Sequence, residues 1–168
     1  MSEMYKVLSR RNFLKLSGVA ASGALLVACG GSTPEAPKAA AGPVSLELES
    51  SNQAGEFKYN KAELEAPAGS KITIKFSNKT DAAAAVNHNL VIVKPGQEES
   101  VGNNGTAAGD ANGWIKADDP GIIAHTKLIK GGESDSVTFD APAAGSYTYM
   151  CTFPGHYAGG MKGKLTIK

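Results

Sequence analysis

The sequence predicts an all-β fold, a β-sandwich of about seven or eight short strands. Hydrophobic residues alternate with polar residues over several short segments, including 44–48, 72–76 and 137–139. Gly, Pro or Asn residues separate these segments, for example at Gly69, Asn78 and Gly145. Many short strands at regular spacing are typical of an antiparallel sandwich or barrel.

The size and composition favour one globular domain. The chain has 168 residues, 42% hydrophobic and 20% charged. Four of the 17 basic residues and one of the 16 acidic residues lie within positions 1–28, so the remainder carries a net charge of −2. This balance excludes a basic nucleic-acid-binding surface, and no apolar stretch reaches the roughly 18 residues of a membrane-spanning helix.

The first 28 residues predict an export signal. The string SRRNFLK at residues 9–15 contains the paired Arg10 and Arg11, and a weakly apolar run follows to Ala28. A basic segment before a short apolar segment is typical of a signal peptide, and paired arginines indicate the twin-arginine type. The alternative is a short amphipathic helix of a cytoplasmic protein.

A lipid anchor and a tether are expected next. The string LVACG at residues 26–30 resembles a bacterial lipoprotein box with Cys29 as the lipid acceptor. A cleavage site that happens to contain Cys, or an uncleaved signal, is the alternative. Residues 29–43 are rich in Gly, Ala and Pro and predict a linker on the periplasmic side of the membrane, followed by the domain at 44–168. Because Cys29 and Cys151 each have another expected role, we predict no disulfide.

Within the domain, each segment has its own pattern. Residues 89–93 are apolar on both faces and predict a central buried strand. Residues 97–119 break the alternation and predict an irregular flap, with one short helix at 98–101 or 106–111. Alternation resumes at 147–151 and in the last strand at 162–168.

Three metal-binding side chains lie within eleven residues near the end of the chain: Cys151, His156 and Met161. A thiolate, an imidazole and a thioether favour copper. His88 can supply a second imidazole if sheet packing brings it to the same end of the domain. Two His and one Cys with a weak axial Met form the ligand set of blue-copper electron-transfer sites. The sequence therefore predicts one type 1 copper ion bound by these four residues.

Each of these residues also has a plainer interpretation. Cys151 alone would be a buried inert thiol, and Met161 alone would be a core residue. A zinc site of one Cys and two His is the alternative for the whole cluster. His125, the third His of the chain, is expected on an exposed strand surface, whereas His156 is expected to expose its ring edge within an apolar rim. Met150 and Trp114 are expected to serve in packing.

Several strings resemble one known family. CTFPGH at residues 151–156, followed by MKGKLTIK at 161–168, resembles the C-terminus of azurin-like cupredoxins, a group that includes the auracyanins of photosynthetic bacteria. IAHTKLI at 123–129 and DSVTFD at 135–140 are similar to them too. The resemblance extends from about residue 87 to 168 and is weaker over 44–86. It implies a Greek-key cupredoxin sandwich and the same four copper ligands.

The resemblance also implies supporting roles. Asn89 resembles the residue whose side chain holds the cysteine loop near Thr152, and Tyr147 resembles a tyrosine corner. Two departures from azurins stand out. Four residues separate the loop His from the Met, where azurins have three, and Asn87 replaces a Gly whose carbonyl approaches copper. The longer spacing occurs in auracyanins and plastocyanins.

These features predict an electron carrier rather than an enzyme. A copper enzyme with a second metal centre needs more than the three His of this chain, and a dinuclear copper site needs two Cys in the loop. A periplasmic copper chaperone is the alternative, although no Met- or His-rich tract follows residue 29. The family implies a monomer that carries single electrons from a membrane quinol-oxidising complex to a cytochrome c or a photosynthetic reaction centre.

Overall fold

Eight strands form two sheets packed face to face in residues 42–168, the part of the chain that the computed structural model describes. The strands are β1 Val44–Glu49, β2 Glu63–Ala66, β3 Lys71–Ser77, β4 Val91–Val93, β5 Ile122–His125, β6 Ser134–Asp140, β7 Gly145–Met150 and β8 Lys162–Ile167. One helix, α1, spans Glu98–Ala108, and 3-10 turns occupy Ala82–Ala84 and Asp110–Asn112. The predicted all-β sandwich is confirmed.

The two sheets have the orders β1-β3-β6 and β2-β8-β7-β4-β5. Most strand pairs are antiparallel, but the sandwich also contains two parallel pairs that the sequence did not indicate, β1 with β3 and β2 with β8. Parallel neighbours require a crossover connection. Here β2 lies in the other sheet, so the chain leaves the first sheet after β1 and returns to it as β3.

The main core lies between the sheets and follows from the alternation in the strands. In β3, Ile72, Ile74 and Phe76 are fully buried, while the intervening Thr73 and Lys75 are not. Larger members of the same cluster come from both sheets and from the segments beside them, and they include Leu48, Leu90, Ile129, Tyr149 and Leu165. Burial of this apolar surface is the main force that holds the sandwich together.

Strand β4 is apolar on both faces, as predicted, because each face meets a different core. Ile92 belongs to the main core, whereas Val91 and Val93 belong to a second cluster with Val101, Ile115 and Met150. This second cluster lies under the flap. The flap therefore covers the outer face of the five-stranded sheet, next to the strands that lead into the cysteine loop.

The flap contains a longer helix than the sequence indicates. Both candidate segments, 98–101 and 106–111, overlap one helix of 11 residues. Its sequence is weak for a helix, with Gly102, Gly105 and two Asn residues. Packing stabilises it instead, since Val101 is buried against the sheet and Glu98 accepts a 2.7 Å hydrogen bond from the Thr148 hydroxyl.

Some strand boundaries differ from the prediction. Strand β4 begins at Val91 rather than at residue 89, and β7 ends at Met150, so Cys151 is the first residue after the strand. The short strand β2 was not predicted. No helix within residues 42–168 has the length and hydropathy needed to cross a membrane. The predicted export signal, linker start and lipid-acceptor Cys29 lie outside the described residues.

Candidate metal centre

The loop between β7 and β8 is closed by its own backbone. The Cys151 amide donates to the Met161 carbonyl at 3.1 Å, and the Met161 amide donates to the His156 carbonyl at 2.9 Å. The His156 amide in turn donates to the Phe153 carbonyl at 3.0 Å. Both ends of the loop continue into paired strands. These bonds fix three of the four predicted ligands relative to one another.

His88 reaches the same place from the segment just before β4. Its amide donates to the Ile129 carbonyl at 3.0 Å, and the Ile129 amide donates back at 2.9 Å. This bridge holds the chain just before β4. The sheet order places β4 beside β7, so residues that flank the two strands meet at one end of the sheet.

The side chains of His88, Cys151 and His156 converge on one point. The two Nδ1 atoms lie 3.1 Å apart, and the Cys151 Sγ lies 4.0 Å from that of His88 and 3.5 Å from that of His156. Bonds of about 2.0 Å to nitrogen and 2.3 Å to sulfur, the lengths known for zinc, place such atoms roughly 3.3–3.8 Å apart. The three side chains therefore fit around a single metal ion.

This cluster is buried, which sets the protonation of its members. The exposed fractions are 0% for His88 and Cys151 and 4% for His156. Burial lowers the pKa of His88 to about 4, with a further contribution from nearby His156, and burial lowers the pKa of His156 to about 4. Both imidazoles are therefore neutral near pH 7 and have a free nitrogen lone pair for a metal.

The pKa of the Cys151 thiol is shifted upward, in contrast to the pKa values of the two histidines. Burial raises the pKa of Cys151 to about 12, although the hydrogen bonds that its sulfur accepts from the backbone act to lower the pKa. Without a cation the thiol keeps its proton at neutral pH, and a bound metal ion would displace that proton. Two neutral imidazoles and one thiolate form the soft, nitrogen- and sulfur-containing donor set that suits copper.

Asn89 connects three segments around the cluster. Its Oδ1 accepts a hydrogen bond from the Thr152 amide at 2.9 Å, and its Nδ2 donates to the Thr152 hydroxyl at 2.8 Å. The same Nδ2 donates to the Gly113 carbonyl of the flap at 3.2 Å. Two hydrogen bonds thus join Asn89 to Thr152, and the role of this pair in supporting a bound metal stays a prediction. Asn87 is half-buried before His88, and its influence on the metal stays a prediction.

Met161 lies at the end of the loop and is fully buried in the main core. Its backbone bonds to Cys151 and His156 hold it beside the cluster. The core environment agrees with either a packing role or an axial-ligand role, so ligation by its sulfur stays a prediction.

The other residues that the sequence analysis singled out lie away from the metal cluster. His125 is exposed at the end of β5, and its Nδ1 lies 3.0 Å from the Thr126 carbonyl oxygen. Met150 packs in the second cluster, on the opposite face from Cys151. The Tyr147 hydroxyl donates to the Ala143 carbonyl at 2.8 Å, four residues upstream, as a tyrosine corner does.

Three aromatic residues, Phe57, Phe153 and Trp114, form a cluster beside His156. The Phe57 ring stacks on His156 with centroids 4.2 Å apart, and the Phe153 ring lies 4.5 Å from it. Trp114 packs edge-on against Phe153 at 5.6 Å. Only 4% of His156 is exposed, so any exposure of its ring edge is confined to a small area and stays a prediction.

Phe57 and Tyr59 were missed by the sequence analysis. Tyr59 is buried in the main core, and its hydroxyl donates to the Asn89 carbonyl at 2.8 Å. The two aromatic residues alternate at positions 57 and 59 after a turn, and this alternation could have identified them as inward-facing residues. They lie in the region where the family resemblance is weaker. Arg10, Arg11 and Cys29 lie outside the described residues.

Comparison with known proteins gives a consistent result. The family model for copper-binding proteins of the plastocyanin/azurin family matches residues 46–168. Auracyanin-A of Chloroflexus aurantiacus is 39% identical over 158 residues, which cover 90% of this chain and 94% of that protein. Azurin-2 of Alcaligenes xylosoxydans xylosoxydans is 52% identical over 89 residues, covering 51% and 68% of the two chains.

Solved structures show the same likeness. The dithionite-reduced auracyanin of Roseiflexus castenholzii superposes with a TM-score of 0.67 and 40% identity, covering 74% of this chain and 96% of that one. Auracyanin A of Chloroflexus aurantiacus, described as a blue copper protein, gives a TM-score of 0.66 and 41% identity, covering 75% and 99%.

Proposed function

Because the chain belongs to the plastocyanin/azurin family of copper-binding proteins, we propose that it is a carrier of single electrons with one type 1 copper ion. The convergence of His88 Nδ1, His156 Nδ1 and Cys151 Sγ within 4.0 Å, in a buried site, is the observation that carries this proposal. Bound copper would alternate between Cu(I) and Cu(II) and so supply a one-electron step.

The chain's own contribution is to keep the donor atoms in place. His88, Cys151 and His156 would hold the ion, with Met161 as the weak axial ligand. Backbone hydrogen bonds and the Asn89 side chain fix the loop without the help of a metal. Fixed ligands suit electron transfer, because little must rearrange between oxidation states. Burial of the cluster excludes water from the reactive centre and favours a carrier over a hydrolytic or oxygen-activating enzyme.

The proposed partners and location follow from the family and the first 41 residues. We infer that the protein receives electrons from a membrane quinol-oxidising complex and passes them to a cytochrome c or a photosynthetic reaction centre. Export by the twin-arginine route and lipidation of Cys29 would keep the monomeric domain at the periplasmic face of the membrane. The 90% coverage in the match to Auracyanin-A supports a shared leader, since residues 42–168 make up a smaller share of the chain.

A spectroscopic titration tests the copper site directly. We expect Cu(II) added to the purified chain to produce an intense visible thiolate-to-copper band and narrow EPR hyperfine splitting. The Cys151→Ser variant should lose the band because the thiolate donor is gone. A pale spectrum with wide splitting in the wild type, or a coloured Cys151→Ser variant, would contradict the assignment.

Electron transfer and copper delivery are separated by a second measurement. We expect reversible one-electron voltammetry and retention of copper through repeated cycles. Loss of copper to an acceptor protein or chelator on reduction would favour a chaperone instead. Mass spectrometry of the membrane-bound protein tests the anchor, and an unmodified Cys29 in the mature chain would refute lipidation.

A further inference from the structure

Phe57 lies outside the ligand loop, yet it covers the ring of His156. The two rings are nearly parallel, with centroids 4.2 Å apart and planes inclined by 21°. Phe153 is also close to His156, at 4.5 Å and 33°. Phe57 and Phe153 therefore both pack against the imidazole ring, one from the β1–β2 loop and one from the cysteine loop. His156 is thus flanked by two aromatic rings.

The position of Phe57 is fixed by a closed loop between β1 and β2. The Ser51 amide donates to the Lys58 carbonyl at 2.9 Å, and Ser50 pairs with Tyr59 across the base of the loop. Lys58 also forms an ion pair of 2.7 Å with Glu56. Next to this loop, the buried Tyr59 donates its hydroxyl to the Asn89 carbonyl. Phe57 is therefore supported on both sides and is not a free surface side chain.

The ligand loop is shaped to receive the Phe57 ring. A Cβ atom at Gly159 would lie 2.7 Å from Cδ2 of Phe57 and 3.4 Å from its Cβ. Gly159 has no positive φ, so its lack of a side chain is explained by this close approach. Phe57 itself is half-buried and packs against the main core. The fit of ring and glycine is a specific contact between two segments about a hundred residues apart.

We propose that Phe57 is a positioning residue that covers the metal centre and holds His156 in its ligand orientation. This inference rests on the proposed copper function. With the ring in place, the side of His156 on which Phe57 stacks is closed to small molecules in solution. The aromatic pair also makes the side of His156 apolar, so electrons would leave the site through aromatic rings rather than through bound water.

Thiol labelling of the metal-free protein tests the cover without relying on copper. Cys29→Ser in all variants leaves Cys151 as the only thiol, because the chain has two cysteines. We expect N-ethylmaleimide to label Cys151 about tenfold faster in Phe57→Ala, since a segment that loses buried contacts opens more easily. Phe57→Tyr keeps a planar ring and should label at the wild-type rate. Gly159→Ala should resemble Phe57→Ala, because the new methyl group displaces the ring.

A matched control separates a local cover from general destabilisation. Leu46→Ala removes a half-buried side chain that packs against the same core from the other sheet. We expect Leu46→Ala to lower the free energy of unfolding about as much as Phe57→Ala does. It should nevertheless leave the labelling rate of Cys151 nearly unchanged. Equal acceleration by Leu46→Ala and Phe57→Ala, or wild-type labelling of Phe57→Ala, would overturn the proposal.

Azide binding to the copper-loaded protein gives the second measurement. The Phe57→Ala variant should develop a new absorption band with azide, whereas the wild type and Phe57→Tyr should not. Failure of both the wild type and the variants to form a coloured copper site would refute the proposed function, while the labelling rates would still decide the role of Phe57. Azide binding to the wild type would refute the cover alone.

Discussion

Asn89 stabilises the metal centre although it is not a predicted ligand. It is fully buried, and its side chain satisfies polar groups of Thr152 and Gly113. Its backbone carbonyl also accepts the Tyr59 hydroxyl. One residue therefore joins the entry to β4, the cysteine loop, the flap and the Phe57 loop. Residues that hydrogen-bond around metal ligands orient those ligands, and their mutation typically costs about 10–100-fold in metal affinity or activity.

Substitution of Asn89 by Ala should damage both stability and the spectrum. The Thr152 amide would remain buried without a partner, so we expect a loss of about 2–4 kcal/mol in the free energy of unfolding. The cysteine loop would also shift, which should move the visible thiolate band. Urea unfolding of the metal-free protein and absorption spectra of the copper-loaded protein measure the two effects.

Tyr147→Phe is the control for Asn89→Ala. It removes one hydrogen bond at the far end of β7, from the hydroxyl to Ala143. We expect it to lower stability by about 1 kcal/mol and to leave the thiolate band unchanged. An Asn89→Ala spectrum identical to the wild type would show that Asn89 acts on the fold alone.

At the level of elements, helix α1 shows how packing overrides local sequence. Gly102 and Gly105 are both poor helix formers, yet they have different surroundings. A Cβ at Gly102 would meet only the Met150 Cε at 3.6 Å, which is an ordinary contact. A Cβ at Gly105 would lie well within 3.0 Å of the Trp114 carbonyl oxygen and 3.2 Å from the Thr152 Cβ. Only at Gly105 do the neighbouring atoms leave no room for a side chain.

The two glycines should therefore respond in opposite ways to Ala. Gly102→Ala should raise the free energy of unfolding by up to about 1 kcal/mol, because Ala is the better helix former. Gly105→Ala should lower it by roughly 1–3 kcal/mol, because the backbone at Trp114 must move away from the helix. Thermal unfolding of the two variants provides the comparison, and a stabilised Gly105→Ala would refute the tight packing of α1 against Trp114.

Glycine in a strand has a similar explanation. Gly163 lies in β8, opposite Tyr149 of β7. The Tyr149 ring covers the backbone so closely that a Cβ at Gly163 would overlap its atoms. The Tyr149 hydroxyl then reaches the Lys61 carbonyl. The ring thus crosses β8 and ties the sheet to the segment before β2.

At the level of the whole molecule, local patterns were predictable, and so was the meeting of His88 with the cysteine loop, because the ligand types required it. Other long-range contacts were not predictable. The alternation in β3, the two-faced β4 and the cysteine loop are all encoded within a few neighbouring residues. The stacking of Phe57 on His156 depends on how two distant loops meet, and no spacing in the sequence encodes it. The parallel pairing of β1 with β3 likewise depends on which sheet receives β2.

The architecture also leads us to expect that the site forms before copper binds. Its ligands come from the segments that flank one end of the β4–β7 pair, and each is held by backbone bonds or by a buried partner. None of these contacts requires the metal. The cost of ordering the ligands is therefore met by folding, which leaves more of the binding free energy for affinity.

Copper removal should consequently leave the fold intact and lower only its stability. A ligand at a free concentration of 1,000 times its dissociation constant stabilises the native state by about 4 kcal/mol. For a domain of this size, that corresponds to a rise of roughly 10–20 °C in the melting temperature. We expect the metal-free protein to show the same far-ultraviolet circular dichroism as the copper form and to melt lower by this amount. The Cys151→Ser variant should show a much smaller shift with copper, since one ligand is missing. Loss of the β-sheet spectrum in the metal-free protein would mean that copper, rather than the two cores, organises the loops around the site.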